Sequence, residues 1–374
     1  MKASWLFSRE LDLAAFGGSA LLSFVALAAG GALGLLSGDT TPGWAWVPAV
    51  ILCDVAHVWS TAFRTYLDPE ERAARARLLL AVPALGLAAS VALHLVGELT
   101  FWRTLAYVAI FHFVRQQYGW IALYRARNGE RDAVGRLVDG AAIYASTLYP
   151  LFYWHTHARR FAWFFPGDVV HVSSTLAPVA KAAWALALGV YALRSIASWT
   201  VVRRAHRDGR AEALPAFLRG ARPNPGKDLV VVTTAACWYV GIVTFDSDYA
   251  FTVTNVFIHG VPYFVLVRAY ARQRVERAPQ VVAGTALDRL TRHAAVFVGL
   301  LWAVAFAEEL VWDRAVWHDH AWLFGESWDL DALKPFVVPL LALPQLTHYL
   351  LDGVLWRRRA NPSVARLVAV SAPR

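Results

Sequence analysis

Four histidines in this chain stand within long apolar stretches: His57, His112, His259 and His348. Each has a polar companion three or four residues away, the spacing that stacks two side chains on one face of a helix. Asp54 precedes His57 by three, Gln116 follows His112 by four, Asn255 precedes His259 by four, and Asp352 follows His348 by four, with Gln345 three before it. Imidazoles combined with carboxylates suit iron or zinc, the remaining polar groups serving to fix ring orientation and tautomer. The expected metal set is therefore His57, His112, His259, His348, Asp54 and Asp352. Arg115, Gln116 and Asn255 are expected beside it as catalytic side chains. Arg115 falls three residues after His112, so it is expected either to pair with Asp54 or Asp352 or to receive an anionic lipid head group.

The elements that must carry these residues are membrane helices. Hydrophobic residues make up 57% of the 374 positions and charged residues only 17%, with mean hydropathy +0.41, which excludes an ordinary soluble domain. Seventeen Trp and thirteen Tyr suit two interfacial aromatic belts. Cys53 and Cys237 are the two cysteines, too few for a disulfide framework or a thiolate metal site. Runs of about twenty apolar residues, enough to cross roughly 30 Å of hydrocarbon, fall near 11–37, 43–64, 78–97, 101–124, 137–157, 176–201, 228–245, 250–268, 293–313 and 332–356. The pattern predicts an all-α polytopic bundle of ten spans in a single transmembrane domain. A tight hairpin is expected at Asp246-Ser247-Asp248, and the first run is expected to be a span because it lacks a small-residue cleavage site.

The net charge of +9 lies in the loops. Alternate loops hold 28 Lys and Arg on one side, counting Lys2 and the arginines after Trp356, and six on the other, Arg103, Arg159, Arg160, Lys181, Arg314 and Lys334. That asymmetry places both termini in the cytoplasm and accounts for the basic excess as topology signal and lipid contact, with no nucleic-acid partner. Arginine outnumbers lysine 32 to 4, a bias that fits a GC-rich bacterial genome, and hence a bacterial inner membrane.

On this topology the spans bearing the four histidines all run towards the cytoplasm. The next arginine on the cytoplasmic side follows them by 7, 13, 9 and 9 residues respectively, at Arg64, Arg125, Arg268 and Arg357, which puts the imidazoles roughly 10 to 20 Å from the inner helix ends at 1.5 Å per residue. A shared depth is what a common ion requires. His155, His157, His171, His318 and His320 gather towards the opposite side, where they are expected as interfacial polar residues or, in the alternative, a second zinc or copper site. His94, His206 and His293 carry no expected chemistry.

The stretches 54–59, His112 through Trp120, and 348–357 resemble those of uncharacterised bacterial multipass membrane proteins. In ligand chemistry and topology the chain is similar in kind to the histidine-rich integral-membrane non-haem iron enzymes, namely the desaturase and hydroxylase group and the bacterial carotene-cleaving dioxygenases. It has no His-x-x-His-His box. That likeness implies an oxidoreductase with one or two irons, using O2 and an electron donor on a lipid-soluble substrate such as an acyl chain, isoprenoid or carotenoid. Glu308-Glu309 with Arg314 and the later His348 faintly resembles the prenyl-protein (CAAX-type) intramembrane proteases, although the arginine falls one residue too far along. A zinc-dependent lipid hydrolase or intramembrane protease is accordingly one alternative, with Asp54, Asp352 or Glu308 as base. A proton- or cation-coupled transporter that uses the same buried groups without a redox metal is the other.

Overall fold

The structure is a computed structural model and describes residues 5–38, 41–157, 162–357 and 361–367. Lys2, Arg159, Arg160, Arg358, Arg359 and Arg374, which enter the loop-charge argument, lie outside the described residues. Among the described residues the chain is all-helical. Seven helical segments are long and apolar enough to cross a membrane: α1 (Arg9–Ala32), α2 (Gly43–Arg64), α3 (Pro69–Val96), then Ser174–Arg207, Pro225–Thr244, Asp248–Arg277 and Ala294–Trp317. The other three expected stretches are helical too. They form α4 (Glu98–Arg127), α5 (Ala133–His157), and a broken pair near the end of the chain. In chain order the segments after α5 are α6 (Ser174–Arg207), α7 (Pro225–Thr244), α8 (Asp248–Arg277), α9 (Ala294–Trp317), α10 (Lys334–Leu341) and α11 (Leu343–Leu355).

Local chemistry explains these boundaries. Asp68 caps α3, accepting from the backbone N–H groups of Glu70 and Glu71, with Pro69 in the first turn where its missing N–H costs nothing. Asn224 caps α7 in the same way, its side chain accepting from Lys227 N ahead of Pro225 in the first turn. α7 and α8 are joined by residues 245–247 alone, and Ser247 caps α8. The stretch expected at 332–356 breaks at Ala342 because Pro344 lacks the N–H that would bond to residue 340 and its ring crowds that carbonyl. Two of the charged groups that lower the hydropathy of α4 and α5, Arg125 and Asp139, are buried and engaged with each other. Arg125 of α4 binds Asp139 of α5 and, at 3.4 Å, Glu130. Lys227 of α7 reaches the same two carboxylates at 3.0 and 2.6 Å.

A second buried ion cluster ties the turn between α2 and α3 to the end of α8. Asp68, with none of its surface exposed, accepts from Tyr270 Oη at 2.9 Å and from Arg274 Nε and Nη2 at 2.9 and 3.3 Å. Without Asp68 the buried Arg274 keeps the more exposed Glu70 as its described counter-charge, and breaking a buried pair costs up to about 3–5 kcal/mol. Asp68→Ala is therefore expected to lower the thermal melting temperature of the detergent-solubilised protein by the order of 10 °C. Asp68→Asn, which keeps the cap, is expected to lose less.

The packing of the bundle decides which histidines can meet. α8 lies against α2, and α11 lies against α2, α3 and α4; α8 also touches α4, and α9 covers the other side of α2. At Gly260 α8 comes close against α2. A Cβ there would stand 2.7 Å from Cys53 Sγ and 3.0 Å from the Cys53 carbonyl oxygen, so only a glycine lets these two helices lie this near.

Candidate metal centre

α2 and α8 are both π-wound just before their histidines, as are stretches of α1, α6, α7 and α9 that carry none of the four. α2 is wound as π-helix over Val47–Val55 and becomes α-helical at Ala56. α8 is π-helical over Thr252–Val256 and α-helical from Phe257. Wide turns of this kind are rare and concentrate at functional sites. Asp54 and Asn255 lie within them, and His57 and His259 lie on the first α-helical turn beyond. His112 and His348 come from the regular helices α4 and α11.

The four imidazoles meet in the interior, with His57 1%, His112 4%, His259 0% and His348 1% exposed. Nε2 of His57 stands 3.0 Å from Nε2 of His259, and Nε2 of His348 stands 3.1 Å from Nε2 of His112. One ring nitrogen from each of the four lies within 4.8 Å of all the others, so the group could hold a metal ion. Bonds of about 2.0–2.1 Å to a common ion put neighbouring nitrogens roughly 2.9–3.4 Å apart, and the two measured separations match. Among the described residues this is the one such group of three or more His, Cys, Asp or Glu side chains.

The opposite face of the rings is where tautomers are set. Thr61 Oγ1 lies 2.6 Å from His348 Nδ1 and 3.2 Å from Tyr263 Oη, and Tyr263 donates to Asp352 Oδ1 at 2.6 Å. Asp352 is also 3.2 Å from Trp356 Nε1 and 3.9 Å from His348 Nδ1. Asp54 Oδ1 is 3.5 Å from His57 Nδ1. Both carboxylates thus stand at Nδ1, away from the converging Nε2 atoms, in the position of orienting groups. Gln116 donates to the carbonyl oxygen of His259 at 3.0 Å, tying α4 to α8. Asn255 donates to Thr254 Oγ1 at 2.9 Å and Phe251 O at 3.3 Å. Its Oδ1 and the Nδ1 of His259 are buried without a hydrogen-bond partner among the described residues, a cost of about 1–3 kcal/mol for each such group.

Aromatic rings complete the walls. Phe113 lies flat on His259, centroids 3.7 Å apart and planes within 3°, and the Tyr349 ring is 4.8 Å from that of His112. Thr61, Tyr263, Phe113 and Tyr349 are not among the expected site residues, yet the sequence holds a signal for two: Thr61 follows His57 by four and Tyr263 follows His259 by four, on the same helical faces.

Arg115 is elsewhere. It is exposed, bonds to Tyr144 Oη of α5 and lies over the Tyr118 ring at 5.0 Å, rather than against Asp54 or Asp352. Glu308 of α9 accepts from Trp59 Nε1 and, at 3.3 Å, from Trp312 Nε1, and it is near enough to Asp54 to interact electrostatically. The remaining histidines form no cluster. His155 bonds to Tyr107 Oη at 2.8 Å, His157 stacks on Tyr153, and His320 stacks on Trp46 with Nδ1 3.3 Å from Asp313. His318 ends α9 in a left-handed conformation with φ 62°.

No protein-family model, curated protein or solved structure matches the chain.

Proposed function

We propose that this protein is a membrane-embedded non-haem iron oxidoreductase that acts on a lipid-soluble substrate, such as an acyl chain, isoprenoid or carotenoid. The observation that carries the reading is the donor set: four imidazole nitrogens converge, and both nearby carboxylates stand behind the rings. Four nitrogens would fill a tetrahedral zinc site and leave nothing open for reaction, whereas a six-coordinate iron keeps two positions. Iron bound here supplies one-electron chemistry with O2, for which an external electron donor is required. Counting α4, α5 and the α10–α11 pair as crossings gives ten spans in a bacterial inner membrane, with both termini cytoplasmic.

The chain's own part in the chemistry is positioning and exclusion of water. Thr61 holds His348 Nδ1 and thereby turns its Nε2 lone pair inward. Asp54 stands 3.5 Å behind His57 Nδ1, which makes no hydrogen bond to a described residue, and acts there as a nearby negative group. Phe113 and Tyr349 shut water away from the Nε2 cluster, which suits a substrate arriving from hydrocarbon. The Thr61, Tyr263 and Asp352 oxygens form a hydrogen-bonded file leading from His348 Nδ1, which anchors the ring from behind and keeps its proton on Nδ1. Thr61→Val removes the hydroxyl at nearly constant shape, and by analogy with other orienting groups it is expected to weaken metal binding tenfold to a hundredfold, measured by competition with a chromogenic chelator.

The deciding experiment is metal analysis of detergent-purified protein, as isolated and after anaerobic loading with Fe(II). One or two equivalents of iron are expected. Zinc at one equivalent under both conditions would overturn the redox assignment, and no metal under either would favour the proton- or cation-coupled transporter.

A further inference from the structure

A groove of about 490 Å3 runs along the outside of the bundle between α4 and α11, lined by Arg103, Thr104, Tyr107, Val108, Phe111 and Leu350. Arg103 stands at one end of it. Positions 104, 107, 108 and 111 recur at the three- and four-residue steps that make one continuous helix face. Phe111 and Leu350, at its far end, are the chain neighbours of His112 and His348's partner Tyr349, whose rings lie 4.8 Å apart. Phe111 and Leu350 are 64% and 43% exposed. At the near end Arg103 is exposed and donates from Nη2 to the Gly167 carbonyl oxygen at 2.8 Å. That bond fixes the guanidinium in place. Its Nε and Nη1 make no hydrogen bond to a described residue, and no described carboxylate is within ion-pair range of it.

We infer that this groove binds one single-chain fatty acid, its carboxylate on Arg103 and its hydrocarbon chain laid along Tyr107, Val108 and Phe111 towards Tyr349. The inference rests on the membrane-enzyme reading and narrows its substrate class. Charge complementarity selects the occupant: a guanidinium fork with two free donor directions matches one carboxylate, and the rest of the lining is apolar or aromatic except for the Thr104 hydroxyl. A single file of side chains from one helix face, with Leu350 opposite, accommodates one chain and not the two of a phospholipid. The geometry also sets a depth. Nine residues separate Arg103 from His112, roughly 13 Å along a helix at 1.5 Å per residue. An extended chain advances about 1.2 Å per bond, as 3.3–3.6 Å for the three backbone bonds of a residue implies, so the region near the tenth or eleventh carbon reaches the level of His112.

The test compares oleate with methyl oleate by native mass spectrometry and equilibrium binding, on purified full-length protein in a neutral maltoside detergent. Oleate is expected to bind at least tenfold more tightly than its uncharged ester. The preference should fall below twofold in Arg103→Ala and return in part in Arg103→Lys, both variants remaining monodisperse. Leu350→Trp, which fills the groove and leaves the cation, should weaken both ligands alike. Equal binding of acid and ester by the unaltered protein, or a preference that survives Arg103→Ala, would overturn the inference. So would dioleoyl phosphatidylglycerol binding as tightly as oleate in the same Arg103-dependent way. Metal content is read separately on the same samples: an oleate preference in protein that takes up no metal sinks the iron reading alone, and iron without the preference sinks the groove alone.

Discussion

Alanine at any one of His57, His112, His259 or His348 is expected to cut the iron retained by purified protein from about one equivalent to less than a tenth. Each ring supplies one nitrogen to the same small volume, and the loss of a donor cannot be made good from nearby, because Asp54 and Asp352 stand at Nδ1 on the far side of the rings. Groups that merely orient a ligand are worth tenfold to a hundredfold in metal affinity, so loss of the ligand itself should exceed that. Alanine at His155, His318 or His320 should leave metal content unchanged, since their partners are Tyr107, the end of α9, and Asp313 with Trp46. Elemental analysis of these seven variants beside the unaltered protein checks the expectation. Metal lost only from the His318 or His320 variant would move the site to the other group of histidines.

The second large effect is expected from a residue that binds nothing. Gly260→Ala should reduce metal affinity at least tenfold while every ligand remains in the chain. The added methyl would meet Cys53 Sγ at 2.7 Å and the Cys53 carbonyl at 3.0 Å. The sulfur is buried and the carbonyl is backbone, so α8 must retreat from α2. Overpacking of this kind costs about 1–3 kcal/mol in stability. The more telling consequence is at the neighbouring position: His259 is carried away from His57, and the 3.0 Å separation of their Nε2 atoms opens. Chelator competition reads the affinity, and melting temperature reads the stability. If the variant melted several degrees lower yet bound metal as tightly as the unaltered protein, the close contact would be structural support only.

Much of this arrangement is legible in the residues because buried polar side chains are costly in apolar surroundings and therefore conspicuous. His57, His112, His259 and His348 could be picked out, with their companions at three and four residues, and referred to a common level by counting to the next arginine. What the spacing cannot supply is adjacency. That α11 lies between α3 and α4 while touching α2, and that α8 lies against both α2 and α4, depends on packing over the whole bundle. Arg115 shows how far one helix face can mislead. Three residues from His112 it shares nearly the same side of α4, yet α5 presents Tyr144 and the guanidinium turns there. Thr61 and Tyr263 were harder to see because a hydroxyl four residues from a histidine is common. Only the meeting of α2, α8 and α11 makes them a file ending on Asp352. The hydropathy of α4 and α5 is lowered by groups such as Arg125 and Asp139 that neutralise one another inside the protein, so composition alone understates how deeply those helices are enclosed.

The π-wound stretches Val47–Val55 and Thr252–Val256 make the chain sensitive to length in a way that its composition does not suggest. A helix adopts such winding when it accommodates a surplus residue without growing longer. Dropping one residue from either stretch would let regular winding resume with the two halves of the span still in register, whereas the same deletion in the regular turns beyond, which carry His57 and His259, would turn one half by about 100° against the other. A shortened chain should therefore keep its centre when the loss falls within the wide turns and lose it when the loss falls at the histidines.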